Sequence, residues 1–235
     1  MPYFVIPLIR GGLMKKILFI LLLSFVFLSK VEADDIKLAE NAKSAILIEA
    51  STGEVLFEKN ADEKLVPASM TKMMSMLLII EAIEDGILKW NQKITVSENA
   101  SSMGGSQILL ETGEKMTVKD LFKGVAIASG NDAVVALGEA IAGTEEEFVN
   151  MMNKRAKELK LKNTNFKTPH GLDKANHYSS ARDMSIIARE LVTHKKVLEF
   201  TTIYEDYLRK NTDRKIWLVN TNRLVFKNYI KFNVE

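Results

Sequence analysis

Two short segments of the chain carry side chains whose types and spacing suit acyl transfer. Ser69 and Lys72 lie three residues apart in the segment PASMTKMM, so on a helix both side chains would share one face, one turn apart. A serine hydroxyl becomes nucleophilic when a nearby base takes its proton. Burial beside other polar groups would lower the pKa of the lysine toward that role. The pair is therefore a candidate nucleophile and general base.

The same pair also has an ordinary structural interpretation. Serine is a favoured N-cap, and a lysine side chain can extend its amine to water while its stem packs on apolar surface. Because lysine is common in this chain, about one such spacing is expected by chance. The pair alone leaves both interpretations open.

A second hydroxyl and an amide, in the segment SGND, strengthen the catalytic interpretation. Ser129 could relay a proton, and the amide of Asn131 could both donate to and accept from a peptide-like substrate. Ser97 and Asn99 repeat the same spacing, but they follow the strand-like run Lys93–Val96 in polar surroundings, which favours a strand end or a loop. The context therefore favours Ser129 and Asn131 over this second pair.

Hydrophobic periodicity predicts the elements that must hold these side chains. From Ser69 onward, apolar residues recur with a helical period until Gly86, which suits a C′ position, so the first segment begins a largely buried helix. The SGND segment interrupts two apolar helical stretches, at a junction where side chains can reach a cleft.

Further elements are predicted around these helices. Short apolar and β-branched runs on either side of Ser51–Gly53 predict a hairpin, and residues 215–219 predict a strand. Three S/T-x-x-D/E patterns predict helix starts, because such pairs satisfy free backbone N–H groups. These patterns are Thr117 with Asp120, Thr144 with Glu147, and Ser180 with Asp183.

Composition limits the classes of function that the chain can have. The 235 residues are 47% hydrophobic and fit one domain, or one domain with a small lobe. A formal net charge of +2 gives no electrostatic argument for nucleic-acid binding. The chain has no cysteine, which excludes disulfides, thiolate metal sites and cysteine nucleophiles. Its three histidines, His170, His177 and His194, lack ligand-like spacing, so no metal site is expected.

The N-terminal 33 residues have the pattern of a secretory signal peptide. Met14-Lys15-Lys16 precedes the apolar run Ile17–Leu28, and Val31–Ala33 offers an A-x-A-like cleavage site. As a helix the run would be about 18 Å long, short of the ~30 Å hydrocarbon core, which disfavours a permanent membrane anchor. We therefore expect export to a location outside the cytoplasm, near the cell wall and membrane, with Met14 as an alternative start.

Five segments resemble one protein family: PASMTKMM, MGGSQILLETGEKMTVKDLFKGVAIASGNDA, TPHGLD, HYSSARDM and LVNTNR. Ser-x-x-Lys at Ser69 and Lys72, with Ser-x-Asn at Ser129 and Asn131, resembles the motif set of penicillin-binding proteins and serine β-lactamases. Residues 42–223 are more similar to low-molecular-mass D-alanyl-D-alanine carboxypeptidases of peptidase family S11, most of all to the sporulation-associated type. The resemblance implies an α/β (α+β) fold of the serine β-lactamase/transpeptidase type, with a mixed sheet flanked by helices and an all-helical lobe.

The resemblance also implies a role for each site residue. Ser69 would form an acyl-enzyme on a peptidoglycan stem peptide and release its terminal D-alanine, with Lys72 as general base. Ser129 would relay the proton, and Asn131 would contact the substrate amide and the lysine. The backbone N–H of Ser69 would be one oxyanion donor, and His170 would shape the region near the site. β-Lactam antibiotics would act as acylating inhibitors, and no cofactor is implied.

A third family motif, Lys-Thr-Gly, does not occur in the sequence. In the family its lysine helps to bind the substrate carboxylate, and its strand completes the oxyanion hole. We therefore expect residues 34–224 to be an incomplete catalytic domain and residues 225–235 to be an aberrant tail from a frameshift or an early stop. The last sheet strands, the C-terminal β domain and its membrane anchor would be missing, and activity would be weak or absent.

Two other functions remain as alternatives. A class A β-lactamase needs a deacylating glutamate after the second motif, and the loop of residues 163–173 contains none. The other alternative is an inactive remnant or a non-catalytic protein that binds muropeptides or penicillin and keeps only the helical lobe. Covalent labelling of Ser69 by penicillin would distinguish a surviving acylation site from a remnant.

Overall fold

The computed structural model describes residues 38–226, so the predicted signal peptide and residues 227–235 of the predicted tail lie outside it. The chain divides into two units, residues 1–41 and residues 42–235, and every element named below belongs to the second. In chain order the elements are β1 Ala45–Ile48, β2 Val55–Lys59, a 3-10 turn Ala68–Thr71, α1 Lys72–Glu84, β3 Lys93–Thr95, α2 Glu98–Ser101, β4 Lys115–Thr117, α3 Val118–Ala128, α4 Asn131–Ala142, α5 Glu145–Glu158, α6 Ala181–Thr193, α7 Lys195–Thr201, β5 Glu205–Leu208, β6 Ile216–Val219 and α8 Arg223–Phe226.

Helix α1 lies at the centre of the hydrophobic core. Its sequence, KMMSMLLIIEAIE, is apolar around most of the circumference, which is typical of a helix buried on several sides. It packs against α3, α4, α5 and α6. The helix ends before Gly86, whose φ of +76° is that of a C′ glycine, as predicted. The predicted start differs, because residues 68–71 form a 3-10 turn and the α-helix begins only at Lys72.

The three predicted capping patterns are confirmed at the starts of α3, α5 and α6. The hydroxyl oxygens of Thr117, Thr144 and Ser180 each accept a hydrogen bond from the backbone N–H three residues later. Each cap satisfies a backbone donor that the helix itself leaves free. None of the helices in residues 38–226 is long and apolar enough to cross a membrane.

The strands pair as three separate two-stranded antiparallel sheets, and no larger sheet forms within residues 38–226. The predicted hairpin is β1–β2, with a bulge between Leu47 and Ile48, and the predicted strand at residues 215–219 is β6. β3 pairs with β4, and β5 with β6. Helices packed beside small sheets agree with the predicted α/β class.

Five short elements, α2, β4, α7, β5 and α8, are absent from the sequence prediction. β4 has three residues, and β5 reads EDYL, whose two acidic residues are uncommon in strands. Helix α7 is held by tertiary contacts: the ring of Phe200 lies 5.1 Å from that of Phe122 and 5.2 Å from that of Trp90, between centroids. Such short elements carry too little periodicity to be recognised without their partners.

Candidate active site

The structure brings the predicted nucleophile and base into contact. Ser69 lies exposed in the 3-10 turn, and Lys72 is the first residue of α1, with 3% of its surface exposed. Lys72 Nζ lies 3.3 Å from Ser69 Oγ and donates a hydrogen bond of 2.8 Å to the carbonyl oxygen of His170. The turn therefore presents the hydroxyl to solvent while the amine stays inside the protein.

Burial sets the protonation behaviour of this lysine. Desolvation lowers the pKa of Lys72 from its ordinary value to about 8, because the buried ammonium has lost water. Within residues 38–226 no carboxylate forms an ion pair with it that would restore the charged form. A substantial neutral fraction near physiological pH suits a general base.

Residues 168–171, in the segment that follows α5, pack against the 3-10 turn that carries Ser69 and against α1. The Ser75 hydroxyl donates a 2.6 Å hydrogen bond to the Pro169 carbonyl. Gly171 has a φ of +87° and lies directly against Ala68, where an added Cβ would come within 1.9 Å of the carbonyl oxygen. Only glycine fits at this position, so the segment TPHG and the turn before Lys72 are packed backbone to backbone.

The ring of His170 forms no hydrogen bond with Ser69 or Lys72. Its Nδ1 accepts a hydrogen bond from the N–H of Leu172, and its Nε2 lies 3.6 Å from a carboxylate oxygen of Glu145. The hydrogen bond from His170, followed by that from Asn99, lowers the pKa of Glu145, although burial opposes the shift. The ring thus fixes the segment whose backbone carbonyl holds Lys72.

His177 is a second buried histidine beside the turn, and no sequence pattern indicates a role for it. Its Nδ1 accepts from the N–H of Lys167 at 2.9 Å, so its Nε2 carries the proton and donates to the hydroxyl of Thr71 at 2.9 Å. Burial, followed by the charge of His170, lowers the pKa of His177. This neutral ring links the loop after α5 to the residue between Ser69 and Lys72.

Ser129 lies at the end of α3 but is not bonded to the first motif. Its backbone is left-handed, with a φ of +59°, and the N–H of Gly130 closes the helix end by donating to the Gly124 carbonyl. Within the described residues its hydroxyl forms no hydrogen bond with Ser69 or Lys72. Its role as a proton relay stays a prediction.

Asn131 begins α4 and is buried, with 3% of its surface exposed. Its Nδ2 donates to the carbonyl of Gly104 at 2.7 Å, and its backbone N–H donates to the carbonyl of Ser106 at 2.7 Å. Its Oδ1 has no hydrogen-bond partner among the residues that the structure describes. A buried acceptor without a partner is costly, and it suits an incoming donor such as a substrate amide.

Asp132 is a supporting residue that no sequence pattern indicates. Its buried carboxylate accepts hydrogen bonds from the backbone N–H groups of Ile108, Leu110 and Ala133, at 2.8 to 3.0 Å. An acidic residue in the first turn of a helix looks like an ordinary favourable charge. Only the fold shows that this one also binds the loop that surrounds Asn131.

The side chains of the alternative S-x-N pair, Ser97 and Asn99, form hydrogen bonds outside the candidate site. Ser97 caps the short helix α2 and donates to Glu139, and Asn99 donates to Glu139 and Glu145. The predicted loop at this place is therefore a helix start. In the described part of the chain, no group of three or more His, Asp or Glu side chains is arranged to hold a metal ion.

Comparisons with known proteins agree with the motifs. The family model for D-alanyl-D-alanine carboxypeptidases, peptidase family S11, matches residues 30–234. The chain is 62% identical over 189 residues to the D-alanyl-D-alanine carboxypeptidase DacF of Bacillus subtilis, covering 80% of this chain and 49% of that protein. It thus spans about half the length of the curated relatives it matches.

Solved structures give the same result. Penicillin-binding protein 5 of Haemophilus influenzae matches 81% of this chain and 55% of its own, with a TM-score of 0.75 and 36% identity. The ampicillin-bound form of penicillin-binding protein D2 from Listeria monocytogenes matches 79% of this chain and 74% of its own, with a TM-score of 0.67 and 29% identity. These matches confirm the predicted fold class.

Proposed function

Because the chain belongs to the D-alanyl-D-alanine carboxypeptidase family, we propose that its site forms an acyl-enzyme at Ser69 with peptides that end in D-Ala-D-Ala. The observation that carries the proposal is the contact of 3.3 Å between Ser69 Oγ and a buried Lys72 amine whose pKa is lowered to about 8. A hydroxyl with an adjacent, partly neutral amine is the arrangement that nucleophilic acyl transfer needs.

The proposed reaction begins with attack of Ser69 Oγ on the carbonyl carbon of the penultimate D-alanine, while Lys72 takes the hydroxyl proton. The backbone N–H of Ser69 stabilises the oxyanion. The C–N bond then breaks, the departing D-alanine amine receives a proton through Ser129, and the acyl group remains on Ser69. Water attacks this ester and restores the free hydroxyl. Asn131 Oδ1 accepts a hydrogen bond from the substrate amide.

Labelled penicillin tests the acylation step directly, because a β-lactam would leave a stable acyl group on the same hydroxyl. Covalent label on the wild-type chain, its loss in Ser69→Ala and its retention in Ser97→Ala would support the proposal. Ser97 is a matched control, since it also heads a helix and lies outside the proposed site. Absence of label on the folded wild-type chain would contradict the proposal.

A second candidate is a protein that binds penicillin or muropeptides with little turnover, because within the described residues the Ser129 hydroxyl forms no hydrogen bond with Ser69 or Lys72 that would relay a proton. We therefore propose that release of D-alanine by the 235-residue chain is slow. Release from a diacyl-D-Ala-D-Ala peptide at the rate of a full-length relative would exclude this second candidate.

We also propose that the protein acts outside the cytoplasm, near the cell wall, and serves sporulation. The proposal is supported by the basic and apolar pattern of residues 14–33 and by the resemblance to the sporulation-associated type. A mature chain that begins at Asp34 in the extracytoplasmic fraction would support export. A precursor that stays intact in the cytoplasm would contradict it.

A further inference from the structure

Arg209, in the turn of the β5–β6 hairpin, reaches across to the loop that surrounds Asn131. Only 7% of the Arg209 side chain is exposed. Its Nε and Nη2 bind both carboxylate oxygens of Glu114, at 2.6 and 2.9 Å. The same guanidinium donates to the backbone carbonyls of Ile108 and Leu109, at 2.9 and 3.2 Å. Because the guanidinium is planar and makes several hydrogen bonds, it fixes both the position and the orientation of the groups that it binds.

The backbone that Arg209 holds needs an external restraint. Leu109 has a left-handed φ of +53°, which is unfavourable for a leucine, and 59% of its surface is exposed, so packing does not impose this conformation. Arg214 donates to the same Leu109 carbonyl at 2.7 Å and lies 3.2 Å from Glu114. Burial acts to raise the pKa of Glu114, but the hydrogen bonds from Arg209 and the Glu111 backbone and the charges of Arg209 and Arg214 together lower it, so the carboxylate stays charged.

The other side of this loop is part of the candidate active site. The carbonyls of Gly104 and Ser106 hold the side chain and the backbone of Asn131. The N–H of Ile108 is bound by Asp132, and its carbonyl is bound by Arg209. One residue of the loop is therefore held by the active-site helix on one side and by the distant hairpin on the other.

The hairpin also touches the helix that carries Ser129. Lys123 in α3 forms a 2.6 Å ion pair with Asp206 in β5, and the N–H of Thr221, after β6, donates to the carbonyl of Ile127. Ile127 lies two residues before Ser129. The hairpin and the residue that follows it thus contact α3 close to Ser129 and the loop that holds Asn131, through separate groups.

From these contacts we infer that Arg209 is a positioning residue: by binding Glu114 and the Ile108 and Leu109 carbonyls, it holds the loop of residues 104–110 in the conformation that orients Asn131. The effect on catalysis rests on the proposed function, whereas the effect on the loop does not. A purely structural ion pair would lower stability without a selective change at Asn131.

Hydrogen exchange on the 235-residue chain tests the inference without requiring activity. In Arg209→Ala we expect the backbone N–H groups of Ile108, Leu110 and Asn131 to exchange about tenfold or more faster, while residues 77–80 in α1 remain unchanged. Arg155→Ala is the matched control, because Arg155 also bridges carboxylates of separate elements, Glu81 and Glu190, far from this loop. The control should lose stability without a selective change at these three groups.

A second measurement follows acylation by labelled penicillin at a matched folded fraction. Arg209→Ala should react about tenfold more slowly than wild type, and Arg209→Lys, which keeps the charge but not the forked geometry, should be intermediate. If Arg209→Ala does not fold, the same two measurements on Arg209→Lys apply. Unchanged exchange at the loop and at Asn131, or equal changes in Arg155→Ala, would overturn the inference. A wild-type chain that takes no label would contradict the proposed function, while the exchange result would still decide the role of Arg209.

Discussion

At the scale of single residues, the properties of Lys72 follow from its place at the start of a helix that is buried on several sides. Lys72 loses water there and gains no carboxylate partner among residues 38–226, so the neutral amine is favoured. The carbonyl of His170 still accepts a hydrogen bond from the amine and keeps it directed at Ser69. Burial thus lowers the pKa of the amine, and the hydrogen bond to the His170 backbone orients it toward Ser69.

The rate of acylation by labelled penicillin should follow the titration of Lys72. Because the neutral amine is the base, we expect the rate to rise about tenfold per pH unit below pH 8 and to level off above it. Rates measured between about pH 6 and pH 9.5 test this. Lys72→Arg, which keeps its charge at every such pH, should lose the rate and the pH dependence together. A wild-type rate that is flat across this range would contradict Lys72 as the base.

His177 should make the stability of the protein fall in mild acid. Its folded-state pKa lies below its ordinary value of 6.5, so the unfolded chain takes up a proton first, and stability is lost as the pH falls below about 6.5 toward the folded-state pKa. Protonation of Nδ1 would also remove the acceptor for the Lys167 N–H. Urea unfolding at pH 7.5 and about pH 5.5 should show a smaller loss in His177→Gln than in wild type. Equal losses would exclude this histidine as the cause.

At the scale of elements, the active site depends on segments that are distant in sequence and packed against the start of α1. The segment TPHG contributes two backbone carbonyls and a glycine, and the loop between α2 and β4 contributes the carbonyls that hold Asn131. In each of these hydrogen bonds the supporting segment contributes a backbone carbonyl and not a side chain. The starts of α3, α5 and α6 were predictable from capping patterns, whereas backbone contacts between distant loops leave no periodic pattern.

Replacement of Gly171 tests the closest of these contacts. An added Cβ would overlap the Ala68 carbonyl, and the left-handed φ adds further strain, so Gly171→Ala should cost about 3–5 kcal/mol in the free energy of unfolding. Gly86→Ala is the matched control: it has a similar φ of +76° and open space around the added methyl, so it should cost only about 1–2 kcal/mol. Urea denaturation gives both values, and similar losses in the two variants would show that the close approach to Ala68 is unimportant.

At the scale of the whole molecule, the sequence predicted the fold class, the β1–β2 hairpin, the central helix and the contact between Ser69 and Lys72. It could not predict the supporting residues Asp132 and His177, because each resembles an ordinary residue until its distant partners are known. The pairing of β5 with β6 was missed for the same reason. Local patterns determine where helices begin, while long-range hydrogen bonds determine how two motifs 60 residues apart are held.

The exposed hairpin gives the molecule a surface that should promote self-association. β1 and β2 pair only with each other in residues 38–226, so each has an unpaired edge, and Leu47 and Leu56 are 50% and 57% exposed. The double variant Leu47→Lys/Leu56→Lys should therefore aggregate several-fold less, because charges on an edge oppose strand addition. The double variant Ile87→Lys/Leu224→Lys adds the same charge at residues of similar exposure, 57% and 53%, away from the hairpin, and should change little. Light scattering at matched concentration measures the difference, and equal improvement in both variants would assign the effect to net charge rather than to the hairpin.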